Sequence, residues 1–450
     1  MRLLIAGLVC SAAAFAATAP SQVTFYKDVL PVLEKNCQGC HRPGEAAPMS
    51  FLTYDQTRPW AKAMKQAVLT KQMPPWFADP HYGKFSNDRS MAQSDIETLV
   101  SWADTGAKPG DPKEAPKPID FVEGWRIGKP DMIIEMPTAF EVPASGTIDY
   151  QYIVIPTNFK EDTYVQIAEA RPGNPALVHH IIAFIREPGS PWLKDAQPGV
   201  PFVPKDHIRT ENLTPEQRKK QAREGGGGIG GDFLAGYAPG VTPFYMRPGE
   251  AKLVKAGSDI VLQMHYTANG KAGSDKSRIG VIFAKEKPTA RVLTLAAANA
   301  EFAIPPGDSN YEVDAKIKLQ RDVTLVHLLP HMHFRGKDFD YRVTYPSGET
   351  ETLLVVPKYD FNWQLSYELA QPKFLPAGSV IACTAHFDNS VNNKYNPDPT
   401  KTVYFGEQTW EEMMIGFFEV SVPLNVTAMD IMRPPQHEKP ASTGSGSGGQ

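Results

Sequence analysis

Cysteine is scarce in this sequence, with four in 450 residues. Cys10 lies in the leading apolar run, and Cys37 and Cys40 stand three apart beside a histidine. Only Cys383 is left over, so no intrachain disulfide framework is available and the fold must rest on its core. An excess of charge is lacking too: a formal net charge of −4 leaves no electrostatic footprint for nucleic acid. No apolar run after the first twenty residues reaches the roughly 20 residues a membrane helix needs, so no membrane span is expected. Long helical periodicity is almost missing beyond residue 118, which argues against a helical body.

The first residues carry an export signal. Arg2 supplies the positive end, residues 3–15 the apolar run, and Ala14 and Ala16 a small-x-small cleavage site. Val9 before Cys10 fits a lipoprotein box poorly. With 1–19 removed, a soluble periplasmic protein is expected.

Residues 20–107 read as an all-α module. Apolar spacing predicts helices over 23–34, 58–69 and 93–105. The first runs into Cys37, Cys40 and His41, the Cys-x-x-Cys-His pattern of covalent haem c. Two thiols add to the haem vinyl groups, and the adjacent histidine is held under the iron. Met73, before two prolines that stiffen its loop, is the candidate sixth ligand, with Met49, His81 and Met91 as rivals. The module resembles a class I cytochrome c domain. A proline- and charge-rich stretch, 108–118, reads as an extended linker.

From 119 onward, short alternating segments with turn signals predict antiparallel sandwich or jelly-roll sheets, for example over 150–155, 180–186, 259–265, 341–345 and 414–420. Near three hundred residues is generous for one sandwich. Two are expected, 119–288 and 289–435, before a disordered tail, 436–450. A glycine run, 225–231, together with 192–223 reads as a long flexible insertion.

Four segments of this body carry chemistry. His179 and His180 are adjacent, so in a regular strand they point to opposite faces; they share a metal only at a strand end or bulge. His265 lies in an otherwise apolar strand. His331 and His333, two apart, leave one strand face together and can close on one metal ion. Met413 opens the last apolar strand. His327 shares strand parity with His331, but Pro330 is expected to break the strand between them.

In this order, the segments resemble the copper type II monooxygenase family, that of peptidylglycine and dopamine hydroxylation. The resemblance spans roughly residues 145–425 and rests on His-His in a strand, Leu-Gln-x-His-Tyr, His-x-His, Cys383-Thr384 and Glu412-Met413. It implies two jelly-roll domains and two copper ions. His179, His180 and His265 would hold an electron-transfer copper, and His331, His333 and Met413 an oxygen-binding copper. The implied activity is hydroxylation of a C–H bond of a small organic substrate with O2. Three departures point away from a peptide substrate and toward a less polar one. Leu329 stands where the peptide-hydroxylating members have a carboxylate-binding arginine, Ile415 and Phe417 replace an asparagine and a tyrosine, and the family's disulfides are missing. A fourth departure of the chain is its own haem, which would relay electrons from a periplasmic donor. Two other readings stay open: a copper-binding electron-transfer protein without oxygenase activity, and a blue-copper site built on Cys383, His386 and Met413.

Overall fold

The computed structural model describes residues 22–45, 47–121, 124–204, 213–214, 216–217, 231–238 and 241–433. The export signal, the tail, the glycine run up to residue 230, and His207 and His437 lie outside the described residues. The chain divides into two compact units, one of Met1–Pro74 with Met91–Ile119, the other of Pro75–Ser90 with Asp120–Gln450.

The elements assigned in the first unit are helices: Phe25–Val29 running into Leu30–Asn36, Tyr54–Thr57 continuing through Arg58–Trp60 into Ala61–Leu69, and Gln93–Asp104. The chain begins helically because Asp28 accepts the Thr24 N–H at 2.7 Å, and because Pro31 sits in a first turn where no N–H is needed. Apolar positions at helical spacing, among them Phe25, Leu33, Met64, Leu99 and Trp102, meet in one buried cluster. The stretch expected to be a free linker is tied down at its start. Lys108 and Pro109 offer their carbonyls to the Phe25 and Tyr26 N–H groups at 3.0 and 3.1 Å, and Lys108 also accepts from Trp102 Nε1 at 2.9 Å. Unpaired N–H groups at a helix start need acceptors, and proline loses its donor but not its carbonyl.

The second unit is dominated by strands. Its largest sheet has eight, in the order Met132–Glu135, Arg278–Phe283, Thr163–Arg171, Glu250–Val254, Ala290–Asn299, Met414–Pro423, Val323–His331 and Tyr367–Leu375. Two four-stranded sheets accompany it. One runs Gln151–Pro156, Asp259–Tyr266, Val178–Arg186, Asp232–Tyr237; the other Tyr311–Lys318, Val380–Phe387, Gly336–Thr344, Thr350–Val356. Each four-stranded sheet shares a buried core with half of the large one, giving two sandwich-like halves. Strict alternation explains the inner faces: Ile381, Cys383, Ala385 and Phe387 are buried, and the residues between them are half-exposed. The sequence reading separates the halves at 288/289. The large sheet runs across that point, because Ala290 and Arg291 pair in parallel with Glu250 and Ala251.

Residues 75–90, expected in the helical module, belong to this second unit. Phe85 bridges Leu369, Ser86 N–H donates to Glu368 at 2.9 Å, and Trp76 and Phe85 pack against its core. The apolar aromatics of the segment find their partners there. Among the described residues, no helix is long and apolar enough to cross a membrane.

Candidate metal centres

The strand Val178–Arg186 opens with a register shift between Val178, opposite Tyr266, and His180, opposite His265. His179 is the extra residue of this bulge. A bulge re-aims the inserted side chain, so neighbouring histidines that a regular strand would send to opposite faces turn to one point. The Nδ1 atoms of His179 and His265 lie 3.2 and 3.4 Å from Nδ1 of His180. Ligand atoms of all three rings fall within 4.8 Å of one another. Tetrahedral bonds of about 2.0–2.1 Å to imidazole put ligand nitrogens about 3.3 Å apart, close to both distances measured from His180. Burial holds all three rings below the ordinary histidine range. His265 is pushed down to about 3, by burial first and His179 second. His180 is lowered well below that range by burial, then by His265 and His179. Neutral imidazoles with lone pairs turned inward are the metal-ligating form.

The second set lies at the end of the strand Val323–His331. His331 stands opposite Ile415. His333 and Met413 lie just beyond the paired ends of the two strands, which close at His331 and Met414. Glu412 clamps the turn, its carboxylate accepting the His333 N–H at 2.8 Å and the Arg335 N–H at 2.6 Å. Arg335, only 2% exposed, is itself held by Asn389 Oδ1 at 2.8 Å and the Trp410 carbonyl at 2.9 Å. Both rings are oriented from behind. His331 Nδ1 lies 2.9 Å from Gln364 Oε1, and His333 Nδ1 lies 3.2 Å from the Glu411 carbonyl. An Nδ1–H donating to each acceptor leaves Nε2 as the free lone pair. Gln364 has its own anchor, its Nε2 donating to the Phe361 carbonyl at 2.9 Å. Tyr359 accepts the Met332 N–H at 3.1 Å and donates to the Met332 carbonyl at 2.8 Å. Gly336 allows the turn to close, since a Cβ there would meet Met332 at 2.7 Å and Tyr359 at 2.9 Å. Burial lowers His331 and, more strongly, His333. The two sets are neighbours: Phe361 stacks on His179 at 5.3 Å and meets His333 edge-on at 6.0 Å.

A cavity of about 150 Å³ opens onto His180 and His331. Its walls are mainly apolar, with Ile182, Phe244, Leu329 and Phe417 among them, and its polar residues include His327, Lys252, Glu419, Thr294 and Gln364.

In the first unit, the helix ending at Asn36 continues into one further turn. Cys37 N–H donates to Leu33 at 2.8 Å, and Cys40 and His41 N–H groups donate to the Cys37 carbonyl at 3.1 and 2.9 Å. Cys37, Cys40 and His41 therefore share one side of a helical turn. The His41 ring stacks on Phe51 at 4.3 Å with Nδ1 3.3 Å from the Met49 carbonyl, which leaves Nε2 for a ligand. Both cysteines are free thiols. Burial, with Cys40 and Asp95 adding to it, pushes the Cys37 thiol up to about 12. Met73 is half-buried, while Met49 and Met91 pack against the core that Cys37 touches. His81 lies in the other unit.

Several residues of these centres carry no sequence signal. Gln364, Tyr359 and Phe361 sit in a loop some thirty residues beyond His331 and contribute only through the fold. The structure does not assemble the blue-copper alternative. Cys383 faces the core, against Gly416, whereas His386 faces outward between Asp338 at 2.6 Å and Glu312 at 3.3 Å. Pro330 does not break its strand either. It pairs with Gly416 on one side, and on the other side Leu328 is the last residue to pair with Tyr367–Leu375, so Pro330 stands beyond that ladder. His327 consequently keeps its face-sharing with His331.

No family model and no curated protein matches the chain. Among solved structures it is similar to infectious bursal disease virus, Gx strain, at 10% identity over 71% of this chain and 77% of that one, with a TM-score of 0.18. It is similar to an allantoicase at 9% identity over 56% and 79%, with a TM-score of 0.15. The values for Macrobrachium rosenbergii nodavirus are 12% identity over 71% and 97%, and a TM-score of 0.15. Likenesses at such TM-scores carry no argument about fold or function, so a functional reading rests on the residues themselves.

Proposed function

We propose that this chain is an exported copper- and haem-containing monooxygenase that hydroxylates a C–H bond of a small organic molecule. The observation that carries the reading is the pair of histidine sets, three Nδ1 atoms at metal-ligand spacing and two back-oriented imidazoles, opening on one small apolar cavity. The residues fit copper. Three neutral imidazoles suit a one-electron site that serves both oxidation states, and two imidazoles with the Met413 thioether favour Cu(I), the state that meets O2. In this reading the sandwich halves are two jelly-roll domains of the copper type II monooxygenase kind, and the helical unit is a class I cytochrome c.

When bound, copper and haem supply the redox chemistry, in which O2, two electrons and two protons turn a C–H bond into C–OH and release water. The chain's own residues do the rest. Gln364 and the Glu411 carbonyl hold protons on Nδ1 of His331 and His333, so that both Nε2 lone pairs point one way. Tyr359 fixes the backbone between the two histidines, and Glu412 the turn that follows them. Leu329 and Phe417 give the cavity wall beside His331 an apolar surface. Cys37 and Cys40 would attach the haem and His41 Nε2 and Met73 would ligate its iron, and the haem would supply one-electron transfer from a periplasmic donor.

The test is O2 uptake by the copper-loaded, haem-containing chain with an external one-electron donor. Uptake that disappears in Met413→Ala, with haem content unchanged, supports the reading. A wild type that exchanges electrons but consumes no O2 would make it a copper-binding electron-transfer protein instead.

A further inference from the structure

His327, which no metal centre uses, is built into the cavity wall. Its strand face carries His327, Leu329 and His331, and across the ladder these meet Glu419, Phe417 and Ile415. The His327 ring is 5% exposed and lies flat on Phe244, at 4.8 Å and 19°. Its Nδ1 is 3.0 Å from Glu419 Oε2. The other oxygen of Glu419 is occupied by Lys252 Nζ at 3.0 Å and Thr294 Oγ1 at 3.0 Å. Glu419 accepts the Nδ1 hydrogen, and in that neutral tautomer Nε2 is a lone pair. Among the described residues, Nε2 has no hydrogen-bond partner. It does not count among the fully buried unpartnered side-chain atoms, and its ring lines the cavity, so a donor inside the cavity can reach it.

We infer that His327 Nε2 is a substrate anchor, and that the substrate is a molecule of about one six-membered ring bearing a hydroxyl or amino donor. The assignment of its reacting end rests on the oxygenase reading above. Size follows from the cavity, since about 150 Å³ is the volume that accepts a benzene-sized guest. Length follows from the strand. At about 3.3 Å per residue, His327 and His331 are roughly 13 Å apart, a span that one hydrogen bond, one ring and a short gap to the reacting C–H fill. Charge follows from the cluster. Lys252 faces both Glu419 and Asp232, at 3.0 and 3.5 Å, so the polar end carries no spare positive charge to receive a carboxylate. A donor group is accepted and an anion is turned away.

The discriminating probes are benzyl alcohol and anisole, isomers of equal size of which only the alcohol donates, together with benzoate. Binding is measured by titration calorimetry on the full exported chain, copper-loaded and copper-stripped. The wild type should prefer benzyl alcohol to anisole about tenfold, as one neutral hydrogen bond allows, with benzoate weakest. His327→Phe should bring the alcohol down to the ether, and His327→Gln, which keeps an acceptor, should retain part of the preference. Equal binding of alcohol and ether by the wild type overturns the anchor without any variant, and so does a preference that survives in a folded His327→Phe. The two readings fail separately. Alcohol preference in a chain that consumes no O2 keeps the anchor and removes the oxygenase, while O2 uptake without that preference does the reverse.

Discussion

His180 stands directly across the ladder from His265, their Nδ1 atoms 3.4 Å apart, and a bulge inserts His179 beside them. The bulge converts an adjacent pair into a three-nitrogen cluster. Without it, His179 would face away from the other two.

That geometry makes the triad separable from the second set. His180→Ala should lower the copper content by one per chain and leave the copper at His331 and His333 in place. Metal analysis with electron paramagnetic resonance of the remaining ion reads both results. Loss of both coppers, or of neither, would contradict independent centres.

Gln364 is a positioning residue for His331. Gln364→Leu removes the acceptor that fixes the imidazole proton on Nδ1. Copper affinity at the second centre should fall by about 10–100-fold while the triad keeps its own. Chelator competition measures it, and the triad provides the internal control that a general loss of structure would not spare.

The ion cluster beneath the cavity has a pH signature. Burial alone raises the Glu419 carboxyl, but the Lys252 charge and the His327 hydrogen bond outweigh it and carry it from 4.5 to about 2. A depressed folded value stabilises fully above the ordinary range and is lost as pH falls from about 4.5 through about 2. A displacement of that size corresponds to about 3 kcal/mol. The stability advantage of wild type over Glu419→Gln, read by urea unfolding, should therefore shrink by about that amount between pH 5 and pH 2. An advantage that is flat with pH would show that Glu419 is not held ionised by its partners.

The haem reading is tested by the double variant Cys37→Ala/Cys40→Ala. It should lose covalent haem, retain both coppers, and lose turnover driven by an external donor. Unchanged turnover would remove the relay.

Much of this was legible in the residues, for physical reasons that differ by element. The helices at Leu30–Asn36, Ala61–Leu69 and Gln93–Asp104 were readable because their apolar faces repeat at helical spacing. Strands such as Asp259–Tyr266 and Met414–Pro423 were readable from dense apolar runs between turn signals. Strand parity alone said that His179 and His180 could share a metal only at a strand end or a bulge; which of these holds came from the register. Long-range pairing was not legible. Nothing in the sequence says that residues 250–251 and 290–291 pair in parallel and join the halves in one sheet. Gln364 and Tyr359 are ordinary polar loop residues until the fold brings them behind His331 and Met332. Pro330 misled, because a proline is silent in a strand wherever its missing donor faces no partner.

The most direct measurement is copper per haem in the purified chain, for wild type and for Met413→Ala. The account predicts two coppers per haem in the wild type and, in the variant, loss of O2 reactivity with the triad copper retained. One copper or none in the wild type, with O2 reactivity indifferent to Met413, would contradict it.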